Sequence, residues 1–179
     1  MVLVLASWTL AAAGCDVSKP SVYRRGVMGT RATIVVYSDD TDHVRQSVAA
    51  AFHRIDEIEW AISDFRSDGE LATLHASAGK GHVRVSGDML GVLSAAASAS
   101  VVTGGAFDIT VGPLTQLWRS ARQEGREPTP REVAEAQASV AGWESIVINE
   151  ESMAVSLTQL GTQLDLGGIG KGFAADAAM

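Results

Sequence analysis

The chain has 179 residues, 46% of them hydrophobic and 20% charged. That composition excludes a disordered chain and supplies enough apolar surface for one well-cored domain. A net charge of -7 leaves no basic patch for an electrostatic footprint, which excludes a nucleic-acid binder; Arg24, Arg25 and the arginines scattered through residues 119–131 read as solvated surface.

Residues 1–14, MVLVLASWTLAAAG, are uncharged and apolar and too short to span a bilayer as a mature helix. They end in small residues directly before Cys15, the one cysteine of the chain. This is the pattern of a secretory signal with a lipobox, Ala12-Ala13-Gly14-Cys15. Cleavage before Cys15 would free its amine and leave its thiol for acylation, and a single cysteine has no internal disulfide partner. The alternative is a mis-assigned start or a plain cleaved signal. The expected organisation is a signal peptide over 1–14, a lipid-anchored tether over 15–22 and a folded unit over 23–179, in an exported, membrane-anchored lipoprotein facing the periplasm or cell exterior.

Residues 31–37 alternate and are rich in β-branched side chains, which predicts a strand. Asp and Thr in the polar run 38–42 are cap candidates for a helix. Val44, Val48, Phe52, Ile55, Ile58 and Ile62 follow at spacings of three and four, one apolar stripe of a long helix. Residues 82–86 read as a short strand. Residues 88–103 read as a second helix with Leu90, Leu93, Ala97 and Val101 on one side, closed by Gly104 and Gly105. Thr129-Pro130-Arg131-Glu132 has the N-cap, first-turn proline and N3 acid of a capping box, predicting a helix over 130–140. Residues 145–148 and 153–157 predict a β-hairpin, and 164–166 one more strand. Helices mixed with hairpin-type strands give an α+β fold with a mixed or antiparallel sheet.

Three stretches carry possible chemistry. Leu164-Asp165-Leu166 runs into four glycines in six residues around Lys171. It is neither a P-loop, since Gly172 follows the lysine, nor G-x-G-x-x-G, since Phe173 stands at the third glycine. Glycines still let backbone N–H groups approach a phosphate, and a helix N-terminus and Lys171 add positive charge; the plainer reading is an ordinary strand-to-helix turn. Between Thr103 and Trp118, Asp108 and Thr110 lie beside Phe107 and between glycine bends. They could hold a planar ring and its polar edge, or form a helix cap, a turn and a strand with Phe107 and Trp118 in the core. Met28, in Met28-Gly29-Thr30, reads as packing beside a tight turn.

Taken together, Met28-Gly29-Thr30, Ile62-Ser63-Asp64-Phe65, the run from Gly105-Ala106-Phe107-Asp108 to Gly112-Pro113-Leu114, and Leu164-Asp165-Leu166-Gly167-Gly168-Ile169-Gly170-Lys171-Gly172 occur in the order and rough spacing of one family. The chain resembles the ApbE family, the FAD:protein FMN transferases, from about Met28 to its last residue, over roughly the first half of a family member. The fold is accordingly expected to be ApbE-like and incomplete at the C-terminus.

The resemblance implies binding of FAD as substrate with Mg²⁺ as cofactor. It implies transfer of FMN to a Thr or Ser hydroxyl of a target flavoprotein, with release of AMP. It implies FAD contacts at Met28, Phe65, Ala106, Phe107, Asp108, Asp165 and Lys171, and a Mg²⁺ ligand in the backbone carbonyl of Gly168. Further metal ligands, an Asp and a Thr, and a His-containing motif are expected in a C-terminal half. The chain has Gly69-Glu70-Leu71 and Leu74-His75 where the family often shows Ser-Glu-Leu and Leu-Asn, and Gly170 where Ala is common. Lys171 would offset pyrophosphate charge. No catalytic base is identified: His43, His53, His75 and His82 lie outside the motifs and read as surface or packing residues. The alternatives are a periplasmic flavin-binding or FAD-hydrolysing lipoprotein without transferase activity, or an inactive fragment.

Overall fold

The structure is a computed structural model and describes residues 19–38 and 40–179. The expected signal peptide and Cys15 lie outside the described residues. Two strands without interruption open the fold: β1 (Ser21–Val27) and β2 (Thr30–Val36) pair antiparallel with Ser21 opposite Val36 and Val27 opposite Thr30. Met28 and Gly29 make the reversal, with φ of 49° and 66°, the left-handed pair that a tight hairpin turn requires. A methionine there is uncommon. Its N–H donates to Glu59 Oε2 at 2.9 Å, which ties the turn to the next helix.

That helix, α1 (Thr41–Ile62), starts at Asp40, whose side chain accepts from the His43 N–H at 3.0 Å. All six residues of the predicted stripe are buried. The stripe is the spine of the fold, since α1 packs against β1, α2 (Glu70–Ala76), α3 (Gly87–Val102) and α6 (Gly170–Ala177). Helix α2 has no counterpart among the predicted elements: two fully buried leucines, Leu71 and Leu74, are too few to display a period.

Strand β3 is only Val83–Arg84. Helix α3 begins at Ser86, which accepts from the Met89 N–H at 3.1 Å, and ends at Gly104 and Gly105, with φ of 61° and 83°. Its buried face is Met89, Val92, Leu93, Ala96 and Ser100, so of the expected Leu90, Leu93, Ala97 and Val101 only Leu93 is fully buried; Val101 is 62% exposed. Alanine and serine make up much of this helix, so no strong stripe sets its rotation, and Met89 and Val92 turn inward.

The next stretch corrects a prediction. After Asp108 comes one 3₁₀ turn (Ile109–Val111) and then α4 (Gly112–Gln123), with Pro113 in its first turn, where the missing N–H costs nothing. The β-branched Ile109-Thr110-Val111 run that suggested a strand is the turn itself, and Trp118, expected in the core, is 53% exposed. Helix α5 (Pro130–Ala138) has both arms of the predicted capping box.

The hairpin also forms: β4 (Ile146–Asn149) pairs antiparallel with β5 (Ala154–Leu157), and β3 joins on the other side of β5. Residues 164–166, predicted as a strand, are an extended connection without a strand partner. Their backbone is satisfied singly: Leu164 N–H by His75 Nε2 and Asp165 N–H by the Ile109 carbonyl, at 2.9 and 2.7 Å. Helices packed on small antiparallel sheets make this an α+β fold.

Candidate functional site

The glycine-loop connection is the junction of the site. Asp165 leaves it half-buried, with Oδ1 accepting from the Gly167 N–H at 2.7 Å. A Cβ at Gly167 would sit 2.9 Å from that oxygen, so a larger residue there would have to displace the Asp165 carboxylate. Glycine suits 168 because a Cβ would stand 3.2 Å from Phe107 Cε2. Gly170 then opens α6. Among the described residues, the N–H groups of Gly168, Lys171 and Gly172 meet no acceptor, and the Lys171 ammonium has no carboxylate within ion-pair distance. A helix start with free donors beside an unpaired ammonium is receptive to an anion.

Two adjoining clefts meet there. One, of about 180 Å³, is lined by Met28, Phe65, Ile62 and Leu166 among others. The other, of about 960 Å³ and more open, is lined by Ala106, Phe107, Asp108, Asp165 and Gly168 among others. Arg119, Gly167 and Lys171 line both. Every residue predicted from the motifs to contact nucleotide or metal therefore borders one cleft or the other, although they come from positions 28 to 171.

Their roles within the fold differ. Phe65 is 83% exposed, and the guanidinium of Arg119 lies over its ring at 5.0 Å from the centroid. Asp108 has both carboxylate oxygens occupied: Oδ1 accepts from the N–H and hydroxyl of Thr110, each at 2.8 Å, and Oδ2 from the Trp143 N–H at 3.1 Å. Thr110, fully buried, accepts in turn from the Gly142 N–H at 2.9 Å. Asp108 thus shapes the larger cleft from behind, by joining the start of α4 to the segment before β4.

Arg119 corrects the reading of residues 119–131 as solvated surface. It is half-buried, with one Nη donating to Asp64 Oδ2 and the other to Asp165 Oδ2, the latter at 3.0 Å. Hydrogen bonding to Asp64 raises its already high pKa, so the group is a fixed cation. The sequence hid it because the helix carrying it was not predicted; seven residues beyond Gly112, it lies two turns up the face that Gly112 sets against Gln163.

The histidines fall as expected. His43, His53 and His82 are exposed, and His75 is a packing residue whose Nε2 accepts from Leu164. Burial lowers its pKa, partly opposed by the charge of Asp64, so the imidazole is neutral as that bond requires.

For Mg²⁺ the described residues fit poorly. The Gly168 carbonyl accepts no hydrogen bond among them, which leaves it able to ligate a cation. No group of three His, Cys, Asp or Glu side chains is gathered among them, however, and Asp64 and Asp165, which line the clefts, are already bridged by Arg119. One carbonyl is far short of the oxygen shell that Mg²⁺ demands.

The ApbE family model matches residues 28–179. The chain is 28% identical over 154 residues to an FAD:protein FMN transferase of Klebsiella pneumoniae, covering 86% of this chain and 47% of that protein. It is 32% identical over 158 residues to one of Treponema pallidum, covering 84% and 43%. Among solved structures, the ApbE protein of Thermotoga maritima superposes with a TM-score of 0.78 at 28% identity, covering 89% of this chain and 51% of that one. A variant of the flavin transferase ApbE of Vibrio cholerae superposes with 0.78 at 25% identity, covering 90% and 55%. The chain spans about half the length of the curated relatives it matches.

Proposed function

The chain belongs to the ApbE family, and on that premise we propose that it serves the Mg²⁺-dependent transfer of FMN from FAD to a Thr or Ser hydroxyl of a target protein, with AMP as the leaving group. The observation that carries this reading is the meeting of the two clefts at Lys171, which brings residues predicted from four separate motifs onto one continuous surface.

In this reading the dinucleotide lies along that surface. Phe65 offers the ring face not covered by Arg119 to a planar group. Lys171 and the unclaimed N–H groups at the start of α6 offset pyrophosphate charge, the chief demand of phosphoryl transfer. The acceptor oxygen attacks the FMN phosphorus, the bond from that phosphorus to the AMP oxygen breaks, and the hydroxyl proton leaves to a base. None of the four histidines borders either cleft, so that base is not one of them. Among the described residues, the Gly168 carbonyl is the group that would be left to hold Mg²⁺.

The reading extends to location: a flavin transferase unit over residues 23–179, with β1 reaching back to Ser21 into the expected tether, exported behind a signal over 1–14 and held at the membrane by lipid on Cys15. Radiolabelled palmitate incorporation that is lost in C15S supports the anchor, and incorporation that persists rejects it.

The activity is tested by incubating the chain with FAD, Mg²⁺ and a Thr-containing peptide of a flavinylated protein, with mass spectrometry of the peptide. A gain of one FMN on the peptide, with AMP released in equal amount, is the expected result. FMN and AMP released with the peptide unmodified would favour the hydrolase alternative.

A further inference from the structure

We propose that Arg119 is a phosphate-reading residue of this site, placed where a dinucleotide passes from one cleft to the other. The inference rests on the flavin-nucleotide reading above and adds a residue that the motifs did not supply.

Four observations converge on it. Arg119 lines both clefts, so a ligand touching Phe65 in one and Phe107 in the other crosses its guanidinium. Its position is fixed from three sides, by Asp64, by Asp165 and by the ring of Phe65, which removes most of the entropy cost of ordering a long side chain. Two of its five N–H donors are used by the two carboxylates, which leaves three unclaimed among the described residues. Lys171, the unpaired cation, lines the same junction.

Charge decides what those donors suit. Without the arginine, Asp64 and Asp165 would present two negative charges to the junction against one from Lys171. With it, those four charges balance; Glu59 and Asp108, which also line the clefts, already accept from the Met28 N–H and from Thr110 and Trp143, and donors of Arg119 remain to meet phosphate oxygens. Arg119 therefore lowers the repulsion that a pyrophosphate would meet at the junction. A neutral ligand gains nothing from this, so the effect is selective for phosphate and absent for the flavin ring alone.

Fluorescence titration of the full chain with FAD and with riboflavin separates the possibilities, with circular dichroism to confirm that each variant is folded. R119M is expected to weaken FAD binding about tenfold or more, the scale of one lost charge-assisted hydrogen bond, and to leave riboflavin binding within about twofold. R119K, which keeps the charge, should recover part of the loss. D64N, which removes one carboxylate and frees the guanidinium, should tighten FAD relative to riboflavin. Equal losses for FAD and riboflavin in a folded R119M would overturn the assignment by making Arg119 only a scaffold for Phe65 and Asp165. So would unchanged FAD binding. If the unmodified chain binds neither flavin, the flavin-nucleotide reading itself fails, and the assignment with it.

Discussion

The imidazole of His75, at the end of α2, accepts the amide hydrogen of Leu164, 89 residues further along the chain, at 2.9 Å. That bond is one of two that hold the unpaired connection leading into the glycine loop; the other runs from the Asp165 N–H to the Ile109 carbonyl. Only neutral imidazole can accept, and burial lowers the pKa of His75 from its ordinary 6.5.

The stability of the fold should therefore depend on pH in a defined direction. The unfolded chain takes up the imidazole proton as pH falls through about 6.5, whereas the folded chain resists it. Stability is fully present above that value and declines as pH falls below it, until the folded-state pKa is reached. Urea denaturation at pH 8, 6.5 and 5.5 should show this decline. In H75Q, whose amide oxygen can accept from Leu164 without titrating, that part of the decline should vanish. An identical pH profile for both proteins would show that the His75 bond is not what titrates.

Two glycines should differ in their tolerance of the same substitution. At Gly112 an added Cβ would lie 2.5 Å from the carbonyl oxygen and 2.7 Å from the carbonyl carbon of Gln163, both backbone atoms that cannot turn away. G112A is expected to cost about 1–3 kcal/mol, as overpacking does, and to shift α4 and Arg119 with it. At Gly170 the close neighbour is the terminal methyl of Ile62, which can rotate, and the substitution also improves helix propensity. G170A should lie within about 1 kcal/mol of the parent in urea denaturation. The reverse order would refute this account of the packing.

What the sequence disclosed about this fold follows from the reach of its signals. Stripes, caps and hairpins are local, so α1, the capping box of α5 and the β4–β5 pair were legible. The start of α4 was not, because Ile109-Thr110-Val111 has the composition of a strand and becomes a turn only through Asp108, whose carboxylate takes the Thr110 N–H. The extended run at 164–166 had strand composition too, but no strand lies beside it, and pairing is not written in the run itself. The site followed the same division. The motif residues could be named singly, but Arg119 acquires meaning only from Asp64 and Asp165, 55 and 46 residues away. No local pattern marks such a partner.

Asp108 offers a test of scaffold against contact. Its two oxygens accept three hydrogen bonds within the chain, so D108A should lower the unfolding free energy by about 1–3 kcal/mol, the cost of stranding buried donors. T110V, which removes the hydroxyl that donates to Asp108 and accepts from Gly142, should act through the same network. The double variant should therefore fall short of the sum of the two. Strict additivity would mean that the two residues act separately.

Lys171 should act on charge rather than on stability. It is exposed and has no ion-pair partner among the described residues, so K171Q should leave the urea midpoint close to that of the parent. In the proposed reading it should weaken FAD binding by roughly three- to tenfold, the range of a single exposed charge-assisted contact, and leave riboflavin unaffected. Salt gives an independent check, because exposed charges are screened over about 10 Å at 0.1 M. Raising NaCl from 20 to roughly 300 mM should erode FAD affinity in the parent, erode it less in K171Q, and leave riboflavin affinity flat in both. Parallel salt slopes for FAD in parent and variant would mean that Lys171 does not face the phosphates, and that the N–H groups at the start of α6, with Arg119, carry that charge without it.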